Sequence, residues 1–429
     1  MKLVGELLTV LFTVTTATMN DVMPDIQSDP PLSLRATLRK FSRTRHHVAN
    51  PRGKEKARKY IKKVFTESGL HVWSEYIDST PSLRGENIVG MLAGKYTGTA
   101  KDKIVIVGAH YDTTTRTRGV DDNGSGVTAL LQVAKKIGNS GRRFKHTVLF
   151  VAFDFEEDTA ESEHPIPFGS QYFVRNLTKH IKKTRGKVRG ALVLEMLANH
   201  NTTKGSQRFP EMFSHISTQA YHEVTLDGNR GNFLAVIGRK GTDQVLMKPL
   251  EKYYDHDKNF KIHLVPIPLT GRPSKSAYSP YLRDFYRSDH YNFWENSLSF
   301  PAVMVTDTSN FRAKMDKCYH RKCDNMRLID KADLEFLRRN INAVIGATLE
   351  LADMDSSHPE NDHTVKAGLL ISTKTAKTHS GKSEALKTEN EQGRVTDTVI
   401  PTSDSKTASY STLTALVTLI HCTYVARKL

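Results

Sequence analysis

Apolar residues along the chain follow two rhythms. Short runs, "NIVGML", "KIVIVGAHYD", "TVLFVAFDF", "ALVLEML", "NFLAVIG" and "PAVMVTD", are rich in valine and isoleucine and separated by polar segments. Such runs read as strands buried on both faces. Between them the spacing turns helical. Val127, Leu130, Leu131, Ala134 and Ile137 form one stripe, and Leu334, Leu337, Ile341, Val344, Ile345 and Leu349 form another behind Asp330, a predicted N-cap. Residues 32–75 also carry a largely helical pattern, with Ala57, Tyr60, Ile61, Val64 and Phe65 on one face and Gly69 as a stop. Strands alternating with helices predict one domain over residues 32–354, a three-layer α/β/α sandwich around a mostly parallel sheet.

The flanks differ in composition. Residues 355–410 are rich in Ser, Thr, Lys and Glu with few large apolar residues, which predicts a disordered stalk. The first 18 residues combine Lys2, an apolar stretch over 7–14 and small residues at 15–18, the layout of a cleaved secretory signal. At the other end, residues 411–429 hold an apolar tail shorter than the roughly 20 residues of a transmembrane helix. Small residues at Ser403 and Ser405 precede it. This resembles a glycosylphosphatidylinositol-anchor signal, the rival being a short membrane-embedded tail. A secreted or extracellular cell-surface location is expected, with the membrane touched only through that anchor.

The chain has 429 residues, 38% of them hydrophobic, enough to bury a large core. Its formal charge is +16, with basic runs at "RKYIKK" and "KKTRGKVR". Neither run interleaves aromatic residues or matches a nucleic-acid module, so both read as solvated faces and no nucleic-acid partner is expected. Of three cysteines, Cys422 lies in the tail; its removal leaves Cys318 and Cys323 as a pair suited to an oxidising compartment. Sequons at Asn176 and Asn201 would accept glycans there.

Ligands of open α/β sheets bind beyond the C-terminal ends of strands, and the polar residues fall there. "KIVIVGAHYD" ends in His110 and Asp112, "TVLFVAFDFEE" in Glu156 and Glu157, and "ALVLEML" carries Glu195. "DDNGSG", with Asp121 and Asp122, comes after the first of these and before a helix. Carboxylates converging at a strand edge repel one another unless a cation sits among them. Imidazole with carboxylate suits zinc, with cobalt or manganese served by the same set. Asp112, two residues after His110, leaves an extended backbone on the same face and can hold the second imidazole nitrogen. Adjacent Glu156 and Glu157 point apart, so one can bind metal while the other takes a proton from water.

The order "GAHYD", "DDNGSG", "FEED" with "FGSQYF", "LEM", "RSDHYNFW", "PAVMVTDTSNFR" and "YH" resembles the co-catalytic zinc exopeptidases, which include bacterial leucyl aminopeptidases, glutamate carboxypeptidase II and glutaminyl cyclases. The resemblance covers residues 41–353. It implies two zinc ions, one held by His110 and Glu195, the other by Glu157 and His320, with Asp122 bridging. It makes Glu156 the general base and Asp112 the partner of His110, and it implies a cis peptide between Asp122 and Asn123. Two positions depart from the family pattern. Better-known aminopeptidases have aspartate at Glu195, and "YHRKCDN" replaces an Asp-Thr ending, leaving Asp324 as the orienting acid. Cys318 and Cys323 flank His320, and a disulfide between them would stiffen its loop, the alternative being two free thiols. The resemblance leaves Asp289 and His290 outside the metal set as structural or pocket-shaping residues, and Tyr319 either lines the pocket or packs.

The implied activity is a dizinc aminopeptidase acting on peptides. The alternatives are a single-zinc glutaminyl cyclase, a carboxypeptidase, and a catalytically silent binding ectodomain of the same fold. The sequence leaves the oligomeric state open.

Overall fold

The computed structural model describes residues 26–80, 83–157, 169–273 and 280–353. The signal, stalk and tail, with Cys422 and Phe168 of "FGSQYF", lie outside them. The chain divides into Met1–Thr373 and Lys374–Leu429, and every described residue belongs to the first unit.

Helices α1 (Pro31–Leu38) and α2 (Pro51–Glu67) come first, α2 capped by Asn50, whose side chain accepts from Gly53 N. Gly69 then turns the chain with a φ of 72°. Strand β1 (His71–Thr80) begins two residues later and corrects the helical reading of residues 71–75, which pair antiparallel with β2 (Leu83–Leu92). Strand β3 (Lys103–His110), helix α3 (Gly124–Gly138), strand β4 (Val148–Phe153), helix α4 (Gly169–Thr184) and strand β5 (Lys187–Glu195) build the centre. The remaining elements are α5 (Phe213–Ile216), α6 (Thr218–Leu226), β6 (Phe233–Arg239), α7 (Gln244–Lys252), β7 (Lys261–Ile267), α8 (His290–Glu295), β8 (Ala302–Thr306), α9 (Met315–Cys318) and α10 (Lys331–Leu351).

The eight strands lie in the order β1-β2-β4-β3-β5-β8-β6-β7. The central β4-β3-β5-β8 ladders are parallel, β6 runs antiparallel to β8, and β7 runs parallel to β6. Period-two alternation assigns the side chains to layers. Val105 and Val107 of β3 pack into a core with α2, α3, α7 and α10, whereas Ile104 and Ile106 face a second core with α4, α6 and α8. Both faces are therefore covered, which is why the central strands read as unbroken apolar runs. Helix α10 opens with a reciprocal capping box between Asp330 and Asp333, as the position of Asp330 predicts. Among the described residues no helix is long and apolar enough to cross a membrane.

Candidate active site

Three neighbouring parallel strands, β4, β3 and β5, end at one edge of the sheet and deliver the predicted residues there. His110 is the last residue of β3 and Glu195 the last of β5, while Glu156 and Glu157 lie just beyond β4. Between β4 and the glutamates, Phe155 adopts a left-handed φ of 56° that redirects the chain. Asp122 comes from the turn before α3. Its peptide to Asn123 is cis, as the family resemblance implies. Asn123 fixes this turn from both sides: it caps α3 by accepting from Gly126 N, and its amide donates to Leu194 O while its carbonyl accepts from Met196 N. These bonds tie the turn to the end of β5.

His320 arrives from the far end of the sequence, just after α9. Its φ is 57°, and Cys318 and Cys323 on either side form a disulfide.

The side chains meet as two pairs around one carboxylate. Asp122 Oδ1 stands 3.6 Å from His110 Nε2, which is 3.3 Å from Glu195 Oε2. Asp122 Oδ2 stands 3.2 Å from His320 Nε2, which is 3.2 Å from Glu157 Oε2. Ligands at about 2.0–2.1 Å from a tetrahedral zinc are separated by roughly 3.3 Å along each edge. The observed spacings match that edge, and they do not make a hydrogen-bonded cluster. Asp122 Oδ2, Glu157 Oε1, His320 Nε2 and His110 Nδ1 are buried without a hydrogen-bond partner among the described residues. Considered apart from any cation, the cluster can only hold protons. Burial pushes Glu156 well above the usual carboxylate range and, with Asp122 beside it, Glu157 to about 7. Burial works against charge on His320, yet the Asp122 and Glu157 carboxylates raise it to about 11. Divalent cations would replace those protons and satisfy the same atoms, so the donor set fits a metal.

Asp112 does more than its spacing predicts. It is 3.4 Å from His110 Nδ1, and its two oxygens also accept from Glu156 N at 3.3 Å and Glu157 N at 3.1 Å. It therefore ties β3 to the glutamate turn. Asp324 acts on the other side, accepting from Asp121 N at 2.9 Å and Asp122 N at 3.1 Å. Its orienting role falls on the Asp121–Asp122 turn.

Several supporting residues carry no signal in the sequence. Buried Arg45 donates to Tyr111 O at 2.6 Å and Gly119 O at 2.8 Å, joining the end of β3 to the loop that carries Asp122. Ser288 Oγ donates to Glu195 Oε2 at 2.5 Å. Asp289, next to it, is buried among these acids, and burial raises its carboxyl to about 7. His290 turns away: Nε2 meets Phe285 O at 2.9 Å and its ring packs edge-on against Trp294. Tyr319 lines the cavity, stacks on His320 and lies under the Arg287 guanidinium. The two sequons lie apart from this site. Asn176 sits within α4 with its amide donating to buried Glu75, and Asn201 pairs with Gly231 in an isolated bridge.

From the acids a cavity of about 820 Å³, counting its open mouth, continues beneath β8, β6 and β7. Phe209, Phe213 and Phe285 line it opposite the sheet.

Residues 87–246 match the model of peptidase family M28. Over that stretch the chain is similar to this family. The chain is a metallopeptidase. It is 28% identical over 330 residues to the uncharacterised protein YfbL of Escherichia coli, a match covering 73% of this chain and 86% of YfbL. Aminopeptidase Y of Saccharomyces cerevisiae is 24% identical over 52% of this chain, which spans only 32% of that protein. In fold it is similar to the LapA aminopeptidase of Legionella pneumophila, with a TM-score of 0.52 at 17% identity over 78% of this chain and 74% of LapA.

Proposed function

We propose that this chain is a two-zinc aminopeptidase of the M28 type that removes N-terminal residues from peptides. The observation that carries the reading is the division of labour at Asp122, whose two oxygens face separate pairs, His110 with Glu195 and His320 with Glu157. Those pairs would hold one ion each, with Asp122 between them. Bound there, zinc supplies Lewis acidity toward a peptide carbonyl and makes water acidic near neutral pH.

The chain's own residues supply the rest. Glu156 takes a proton from the attacking water and returns it to the leaving amine nitrogen, a task suited to a buried carboxyl of raised proton affinity. Asp112 holds the backbone amides of Glu156 and Glu157 together with His110, so base and ligands keep their spacing. The acids around Glu195 favour a positively charged α-amino group at the head of the apolar cavity, and the name of aminopeptidase Y supports the same end of the peptide. The Cys318–Cys323 disulfide supports an oxidising, extracellular setting.

Metal analysis of the purified chain, with hydrolysis of free-amine and N-blocked aminoacyl substrates, tests the reading. Two zinc ions and cleavage of free-amine substrates alone are expected. Glu156→Gln should retain both ions and lose about 10²- to 10⁴-fold in kcat. One zinc with ring closure of N-terminal glutamine would replace this reading with a cyclase, and metal binding without turnover would replace it with a silent ectodomain.

A further inference from the structure

The sheet register places four residues in one row on the cavity face. Glu195 pairs with Thr306, Thr306 with Ala235, and Ala235 with His263, so the row crosses β5, β8, β6 and β7. Paired residues project to the same face. Three strand spacings, about 14 Å, therefore separate the backbones of Glu195 and His263, and the small side chains of Thr306 and Ala235 leave the space between them open. All four residues line the cavity. The next row, Met304, Ile237 and Val265, is apolar and also lines it.

Opposite the sheet are aromatic rings. Phe209 and Phe213 stack at 5.1 Å, and Phe213 and Phe285 at 6.1 Å. The far end is polar. His263 Nδ1 lies 2.7 Å from Glu223 Oε2; a carboxylate only accepts, so Nδ1 carries the proton. Burial lowers the imidazole's proton affinity, which keeps the ring neutral and makes Nε2 an acceptor. Nε2 has no hydrogen bond among the described residues.

We infer that this cavity is a tyrosine subsite: an N-terminal tyrosine lays its ring under Phe209, Phe213 and Phe285 and donates its phenol proton to His263 Nε2. This rests on the aminopeptidase reading, which puts the α-amino group at the Glu195 end. A leucine side chain would leave the His263 end unfilled. An aromatic ring gains edge and stacking contacts along the way.

The test compares kcat/KM of the zinc-loaded full chain on the coumarylamides of L-tyrosine, L-phenylalanine and O-methyl-L-tyrosine. Tyrosine should exceed phenylalanine by about three- to tenfold, the worth of one neutral hydrogen bond. O-methyltyrosine, which cannot donate, should fall to the phenylalanine value or below. His263→Leu should reduce the tyrosine-to-phenylalanine ratio to about one. Phenylalanine cleaved as well as tyrosine by the unmodified chain would overturn the inference alone, even if the variant fails to fold. No cleavage of any free-amine substrate would overturn the aminopeptidase reading and this inference with it.

Discussion

Replacing Gly119 by alanine adds one methyl group and no charge, yet it should disable the metal site. Gly119 has a φ of 58°, and a Cβ placed there would lie 2.2 Å from the carbonyl oxygen of Asp122 and 2.5 Å from Thr113 Cγ2. Ordinary contact begins near 3.4 Å, so the Asp122 backbone must retreat by roughly 1 Å or the loop must distort. Asp324, Asn123 and Arg45 all resist that retreat, because each is hydrogen-bonded to this turn or to the loop beside it. Gly141 provides the control: its φ is 66° and nothing lies within 4 Å of an added Cβ. Gly141→Ala should lose only the cost of a left-handed alanine, about 1–2 kcal/mol. Gly119→Ala should lose that plus overpacking of about 1–3 kcal/mol, roughly 2–5 kcal/mol in all. Urea unfolding of the metal-free proteins measures both, and calorimetric zinc titration should show at least tenfold weaker binding for Gly119→Ala alone. Equal stability losses with unchanged zinc affinity would refute the contact between Gly119 and Asp122.

Three further outcomes are expected. Glu75, buried under α4 and bonded to Asn87 and Asn176, has its pKa raised by burial to about 7, above its unfolded value. Its stabilising contribution is therefore present below about pH 4.5 and lost as pH rises toward 7, worth about 3 kcal/mol; Glu75→Gln should flatten the stability profile across that window. Asp154 receives Lys54 at 2.5 Å, Arg58 at 2.9 Å and the Tyr111 hydroxyl at 2.7 Å. Asp154→Ala strands a buried lysine and should cost about 3–5 kcal/mol in urea unfolding. Burial opposes charge on this carboxyl, but the two cations hold its pKa below the usual range, so its contribution should disappear only on strong acidification. Chelation should lower the melting temperature and zinc should restore it, with a stabilisation of about 4 kcal/mol at a thousandfold excess over Kd; no shift in calorimetric scans would contradict a metal at Asp122.

The legibility of the sequence tracked burial. The central strands were readable because both faces are covered, so valine and isoleucine run without interruption. The edge strands were not. β1 alternates polar and apolar residues and resembled the helical stretch before it, while β7 carries Lys261, His263 and Pro266 on the outermost position of the sheet. His110, Asp122, Glu157 and His320 were singled out together by the family resemblance of their motifs, and the structure brings these four side chains close to one another.

By itself, then, the sequence determined which segments bury themselves and which side chains have no stable place unless they share a cation. Tertiary structure alone decided the partners of those side chains. Arg45, Asp324 and Ser288 reach the site across tens to hundreds of residues of chain. The row from Glu195 to His263 exists only because β8 inserts between β5 and β6, out of chain order. Strand adjacency is set by long-range hydrogen-bond register and by packing of the crossover helices, neither of which leaves a local pattern in the chain.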